Sequence, residues 1–132
     1  MKKHISIILA AVVLVGCRNN IPVTTTFIND NQVISMAKTL IADQMRDPEA
    51  TKFKEAMSVY STSGGDYIVC GTVNGKNAMG GYVGYKPFYA RIRNGQMASF
   101  MLPSENDKYD IVLNQVVKSC SQAASGSMKV SS

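Results

Sequence analysis

The 132-residue chain carries one histidine, His4. Imidazole activates serine and cysteine nucleophiles, ligates transition metals and exchanges protons near neutral pH. Placed beside an apolar run at the start of the chain, His4 is badly sited for any of these. Cys70 and Cys120 are too few for a thiolate zinc site, and the chain has no Cys-x-x-Cys redox pair. The carboxylates Asp43, Asp47, Glu49, Glu105, Asp107 and Asp110 fall at turns, helix starts and polar faces, where solvation and capping account for them. Glu55 and Asp66 would be acid–base candidates only if they lined a deep cleft. The sequence predicts a non-enzymatic protein with no cofactor and no metal.

The distinctive remaining groups are basic and aromatic. No acidic residue lies between Asp66 and Glu105, yet Lys76, Lys86, Arg91 and Arg93 do, interleaved with Tyr82, Tyr85, Phe88 and Tyr89. Such a surface attracts anionic partners. The candidate partner-binding residues are therefore Lys76, Tyr82, Tyr85, Lys86, Arg91 and Arg93, with an ordinary solvated strand face as the plainer alternative. Gly71, Gly75, Gly80, Gly81 and Gly84 form no phosphate-cradling motif, since no Gly-Lys-Ser/Thr occurs and no helix follows.

The first residues define the compartment. Lys2 and Lys3 precede an apolar run from Ile5 to Val15, then Gly16 and Cys17. This is the layout of a secretory signal, and the run is short of the ~20 residues that span a bilayer. Leu14-Val15-Gly16-Cys17 resembles the lipobox of bacterial lipoproteins. That resemblance implies cleavage after Gly16 and acylation of Cys17, which would anchor the protein stably only through several acyl chains together. Arg18, in place of an inner-membrane retention aspartate, implies the outer membrane facing the periplasm. Export also argues against nucleic acid as a partner. The formal charge of +5 falls to +3 when Lys2 and Lys3 leave with the signal.

With Cys17 committed to lipid, Cys70 and Cys120 are expected to pair in an oxidising compartment. Two buried free thiols are the alternative.

The elements that would hold these groups follow from periodicity. Residues 1–16 read as signal peptide, 17–30 as a lipidated tether, 31–122 as one domain and 123–132 as a disordered tail. Val33, Ile34, Ala37, Leu40, Ile41 and Met45 recur at helical spacing behind Asn29 or Asp30 as cap, and Asp47-Pro48 ends that helix. Asp47 can cap a short turn opened by Pro48. Strands are expected over 53–61, 67–73, 88–93 and 96–102, the last two joined by the hairpin signal Asn94-Gly95. That turn would put Phe88, Ala90 and Ile92 on one inward face with Met97, Ser99 and Met101, leaving Tyr89, Arg91, Arg93 and Phe100 opposite. Residues 74–85 read as an irregular excursion. A final helix, with Ser104 and Asp107 as capping box, carries the stripe Tyr109, Val112, Leu113, Val116, Val117 and Cys120. The expected fold is α+β: a small antiparallel sheet of about four strands flanked by an N-terminal and a C-terminal helix.

The run Cys70-Gly71-Thr72-Val73-Asn74-Gly75-Lys76-Asn77, with Gly80-Gly81-Tyr82-Val83-Gly84 and Pro87-Phe88 after it, resembles a pattern in small uncharacterised proteins of proteobacteria and their phages. The likeness covers roughly residues 30–122 and singles out 74–88, but it brings no biochemistry. The expected role is a membrane-anchored envelope lipoprotein that binds or braces another envelope component through its basic, aromatic surface. The alternative is a phage- or plasmid-encoded exclusion lipoprotein acting on an outer-membrane receptor. The sequence does not set the oligomeric state.

Overall fold

A computed structural model describes residues 20–131. The expected signal peptide and Cys17, the expected site of lipidation, lie outside the described residues. The fold is α+β, and its sheet has seven strands where about four were expected. These are β1 (Asn20–Ile28), β2 (Lys52–Phe53), β3 (Ser58–Thr62), β4 (Tyr67–Asn74), β5 (Lys86–Arg93), β6 (Gln96–Met101) and β7 (Ser127–Ser131). The order across the sheet is β6-β5-β4-β3-β1-β7, all antiparallel, with β2 also pairing β4. The helices are α1 (Asn31–Ala42) and α2 (Ile111–Ala124).

Two of the extra strands overturn the expected tether and tail. Residues 20–28 form β1, whose Val23 and Thr25 are buried. The β-branched residues Ile21, Val23 and Thr25 alternate with Pro22, Thr24 and Thr26, so the period of two is present but written largely in threonine. Pro22 sits where β1 is paired with β7 alone, a position a proline tolerates. Residues 127–131 form β7 rather than a disordered tail, with Met128 and Val130 inward. Gly126, at φ 95°, turns the chain out of α2 and into this strand.

The expected strand 53–61 is interrupted. Lys52 and Phe53 pair with Asn74 and Val73, and pairing resumes only at Ser58 opposite Cys70. The extra residues between them form a bulge. The Asn94-Gly95 turn is a hairpin with both residues at positive φ, 53° and 71°. A register shift in the β5–β6 ladder then corrects the expected faces. Met97 stays opposite Ile92, but Phe100 lies opposite Ala90, and Ser99 and Met101 lie opposite Arg91 and Tyr89. A one-residue slip exchanges the two faces of every position beyond it.

The sheet is covered on both faces. Val33, Ala37 and Ile41 of α1 pack on Val59, Val69, Val73, Phe88, Ala90 and Ile92. Asp30 caps α1 by accepting from the Gln32 and Val33 amides at 2.8 and 3.3 Å. The helix stops at Ala42, and Asp47 caps the 3₁₀ turn Pro48–Ala50. On the opposite face, Val116, Ala123 and Cys120 of α2 pack on Ile68, Tyr89, Met128 and Val130. Asp107 caps α2 by accepting from the amides of Ile111, Val112 and Leu113 at 2.9–3.1 Å. The buried stripe of α2 is Val116, Ser119 and Ala123, so Tyr109 and Val117, 71% and 56% exposed, leave the expected apolar face. Cys70 on β4 and Cys120 on α2 are disulfide-bonded, with Cα atoms 6.0 Å apart. No helix among the described residues is long and apolar enough to cross a membrane.

Candidate functional site: a lysine–tyrosine surface

The excursion 74–85 is a small hairpin with an ordered polar frame. Lys76 and Tyr82 form an antiparallel bridge, closed by Asn77 N–H to Gly81 O at 2.8 Å and Val83 N–H to Gly75 O at 3.2 Å. The Asn77 side chain accepts from the Met79 and Gly81 amides, and the buried Asn74 side chain accepts from the Gly84 amide at 3.0 Å. These two asparagines do locally what a regular ladder does elsewhere, satisfying loop amides and fixing the tip. Tyr82 is further held by its hydroxyl, which donates to Ala50 O at 2.8 Å.

That frame brings lysines from two segments onto two tyrosines. Lys52 Nζ lies 4.5 Å from the Tyr82 ring centroid, and Lys76 Nζ lies 5.5 Å from it. Lys54 Nζ stands 5.1 Å from the centroid of Tyr85. Ammonium groups within about 6 Å of a ring face are attracted by its quadrupole, worth ~0.5–1 kcal/mol at exposed sites. Tyr82 and Tyr85 are 40% and 43% exposed, so the rings remain available at the surface. Met79, at the hairpin tip, is almost fully exposed. Among the described residues the ion pairs all go to Asp66, leaving these three lysines without a carboxylate partner.

The six candidate residues therefore do not form one patch. Lys76, Tyr82 and Tyr85 come together. Lys86 lines a separate groove with Glu105, Asp107 and Asp110. Arg91 is buried, 3.8 Å from Asp66, and so does not belong to the lysine–tyrosine surface. Arg93 lies with it, its Nε donating to Asp66 Oδ1 at 2.6 Å and its Nη2 to Oδ2 at 3.1 Å. Asp66 holds Arg93 protonated above its ordinary range through that hydrogen bond and its charge. Lys52 and Lys54 were the residues missed, because the β2–β4 pairing that delivers them spans twenty residues of chain. Their alternation with Phe53, which is turned to the α1 core, was the only sequence signal.

Neither acid–base candidate has the setting that chemistry would need. Glu55 is exposed and Asp66 is committed to two guanidinium groups. No three or more metal-ligating side chains cluster among the described residues. The fold and this surface define a small disulfide-stapled α+β domain with a cationic, aromatic face. No family model matches the chain, and no curated protein or solved structure matches it.

Proposed function

We propose that this chain is a lipid-anchored bacterial envelope protein that acts by binding, through Lys52, Lys54, Lys76, Tyr82 and Tyr85, to an acidic envelope component. The observation that carries the reading is the stacking of three lysines, without ion pairs among the described residues, on two half-exposed tyrosines. Charge supplies attraction at a distance, and the ring faces supply contact area at small entropic cost. Anchoring is supported by the Leu14-Val15-Gly16-Cys17 sequence, and envelope residence by the Cys70–Cys120 disulfide, a bond of oxidising compartments. Because β1 begins at Asn20, only Arg18 and Asn19 separate it from Cys17. At ~3.3 Å per fully extended residue the domain would stand at most about 10 Å from its lipid, against the bilayer and not on a long leash.

In-membrane crosslinking and pull-down test the binding surface. Lys52→Glu, Lys54→Glu and Lys76→Glu together should remove the captured partner while Lys86→Glu leaves it. A partner set unchanged by the triple reversal overturns the surface. Cys17→Ser should abolish acyl labelling and release the protein from membranes; retained labelling overturns the anchor.

A further inference from the structure

We propose that a cleft beside Arg91, separate from the lysine–tyrosine surface, is a binding site for a phosphate group. The cleft encloses about 230 Å³ between α2 and the two ends of the curled sheet, β5–β6 on one side and β1–β7 on the other. That is room for a phosphate and several waters, each water occupying ~30 Å³.

Its lining is built for an anion. Arg91, 7% exposed, donates from Nη1 to Ser131 O at 2.8 Å, and its Nε is buried with no hydrogen-bond partner among the described residues. A buried unpaired donor on a charged group costs free energy that an oxyanion recovers. The neighbouring carboxylate balances only part of the charge. Asp66 spends both oxygens on Arg93, so two guanidinium groups share one negative charge. Lys129 on β7 is the second cationic residue bordering the cleft, and no acidic residue is among its described lining residues. Ser99, Ser119, Gln115 and Asn20 contribute hydroxyl and amide groups from β6, α2 and β1.

The geometry favours a tetrahedral over a planar oxyanion. A carboxylate is best met by the two-nitrogen edge of an arginine. Arg91 Nη1 goes to the Ser131 carbonyl, which leaves the Nε–Nη2 edge for either ion; the preference for a tetrahedral one comes from the other polar lining groups, which stand on several elements instead of in one plane.

The phosphate can belong to a lipid headgroup or to a solute. Asn20 at the cleft places it three positions from Cys17, so the headgroup source rests on the anchored reading, whereas phosphate binding itself does not. The test uses the mature chain with Cys17→Ser and its disulfide intact, following the Arg91 Nε–Hε signal by ¹⁵N NMR. Inorganic phosphate should shift that signal saturably, and chloride at equal ionic strength should not. Arg91→Lys, which keeps charge and loses Nε, should weaken binding at least about tenfold. Lys129→Ala and Ser119→Ala, which leave the Asp66 cluster untouched, should each weaken it several-fold and guard against a folding defect in the first variant. Phosphatidylglycerol vesicles that reproduce the shift, when phosphatidylcholine vesicles do not, assign the site to an anionic headgroup. A response to inorganic phosphate alone assigns it to a solute. No saturable shift with any of these probes, or equal shifts with chloride, overturns the site.

Discussion

Asp66, the residue before β4, and Arg93, the last residue of β5, are joined by two hydrogen bonds of 2.6 and 3.1 Å. Asp66 is almost wholly buried, and its second cation, Arg91, is buried with it. The carboxylate is thus the counterion that lets a guanidinium sit inside the domain. Asp66→Asn keeps the shape and removes the charge, leaving Arg91 uncompensated in a desolvated site. Removing one partner of a buried pair costs ~3–5 kcal/mol, and urea unfolding at neutral pH should report a loss of that size. Arg93→Ala, at a half-exposed side chain, should cost clearly less. Equal losses would mean that burial of Arg91 is not what Asp66 serves.

The disulfide fastens the centre of the sheet to α2. It closes a loop of 50 residues, for which the chain-entropy model gives about 4 kcal/mol. The double variant Cys70→Ala, Cys120→Ala should lose stability of that order in denaturant melts, and reducing agent should reproduce most of the loss in the native chain. An unchanged midpoint on reduction would show that packing of Val116 and Ala123 alone holds the helix.

Gly71 tests how tightly the α1 side of the sheet is packed. A Cβ there would meet Phe88 Cζ at 3.0 Å and Cε1 at 3.1 Å, and Phe88 is fully buried with nowhere to move. Gly71→Ala should therefore cost ~1–3 kcal/mol, the range for overpacking a core. Gly75→Ala is the internal control. Its added Cβ would run into the terminal methyl of Met45, a flexible side chain that is only partly buried and can turn aside. Thermal melts should separate the two variants clearly.

Much of this arrangement was legible in the chain, and the failures have common causes. Asn94-Gly95 and Asp47-Pro48 announce themselves because turn and cap chemistry is local. The Cys70–Cys120 pairing follows from a count once Cys17 is set aside. Strand β1 was obscured because threonine satisfies a β-strand without registering as apolar, and β7 because Met128 and Val130 alternate with serine and lysine. The β5–β6 register shift has no sequence mark, yet it decides that Ser99 joins Arg91 at the cleft while Phe100 joins the opposite core. For α2, helical spacing was right and the phase was wrong. Small Ser119 and Ala123 are the buried residues because β1 approaches closely there, with Thr25 Oγ1 donating to Ala123 O at 2.6 Å.

Tyr89 gives the domain an alkaline limit. Burial pushes its phenol above the ordinary tyrosine value of about 10; nearby Arg91 opposes the shift and Asp66 adds to it. A group whose folded pKa is raised contributes stability that is complete below its unfolded pKa and is lost as pH rises towards the folded one. Stability should therefore be flat with respect to Tyr89 at neutral pH and decline above about pH 10. Tyr89→Phe should remove that component of the decline, seen as a smaller fall in denaturation midpoint between neutral and strongly alkaline buffer. An unaltered alkaline slope in the variant would assign the loss to other groups.

Strand β7 is the clearest test of whether the C-terminal segment is structural. Five residue pairs, from Asn20–Ser131 to Thr24–Ser127, join it to β1, and Met128 and Val130 are 6% exposed within the α2-side core. Arg91 also donates to the Ser131 carbonyl, so β7 completes the surroundings of a buried cation. Ending the chain at Ser125 should strip β1 of its partner over residues 20–24 and expose one side of α2 and of Arg91. Burying side chains of this size contributes ~1.5–3 kcal/mol each, so the truncated protein should melt well below the full chain. Amide hydrogen exchange should find the loss of protection concentrated at Ile21–Thr25 and along α2, with β4 and β5 protected longest. A truncated chain that melts with the full-length protein and keeps those amides protected would restore the reading of this segment as a tail.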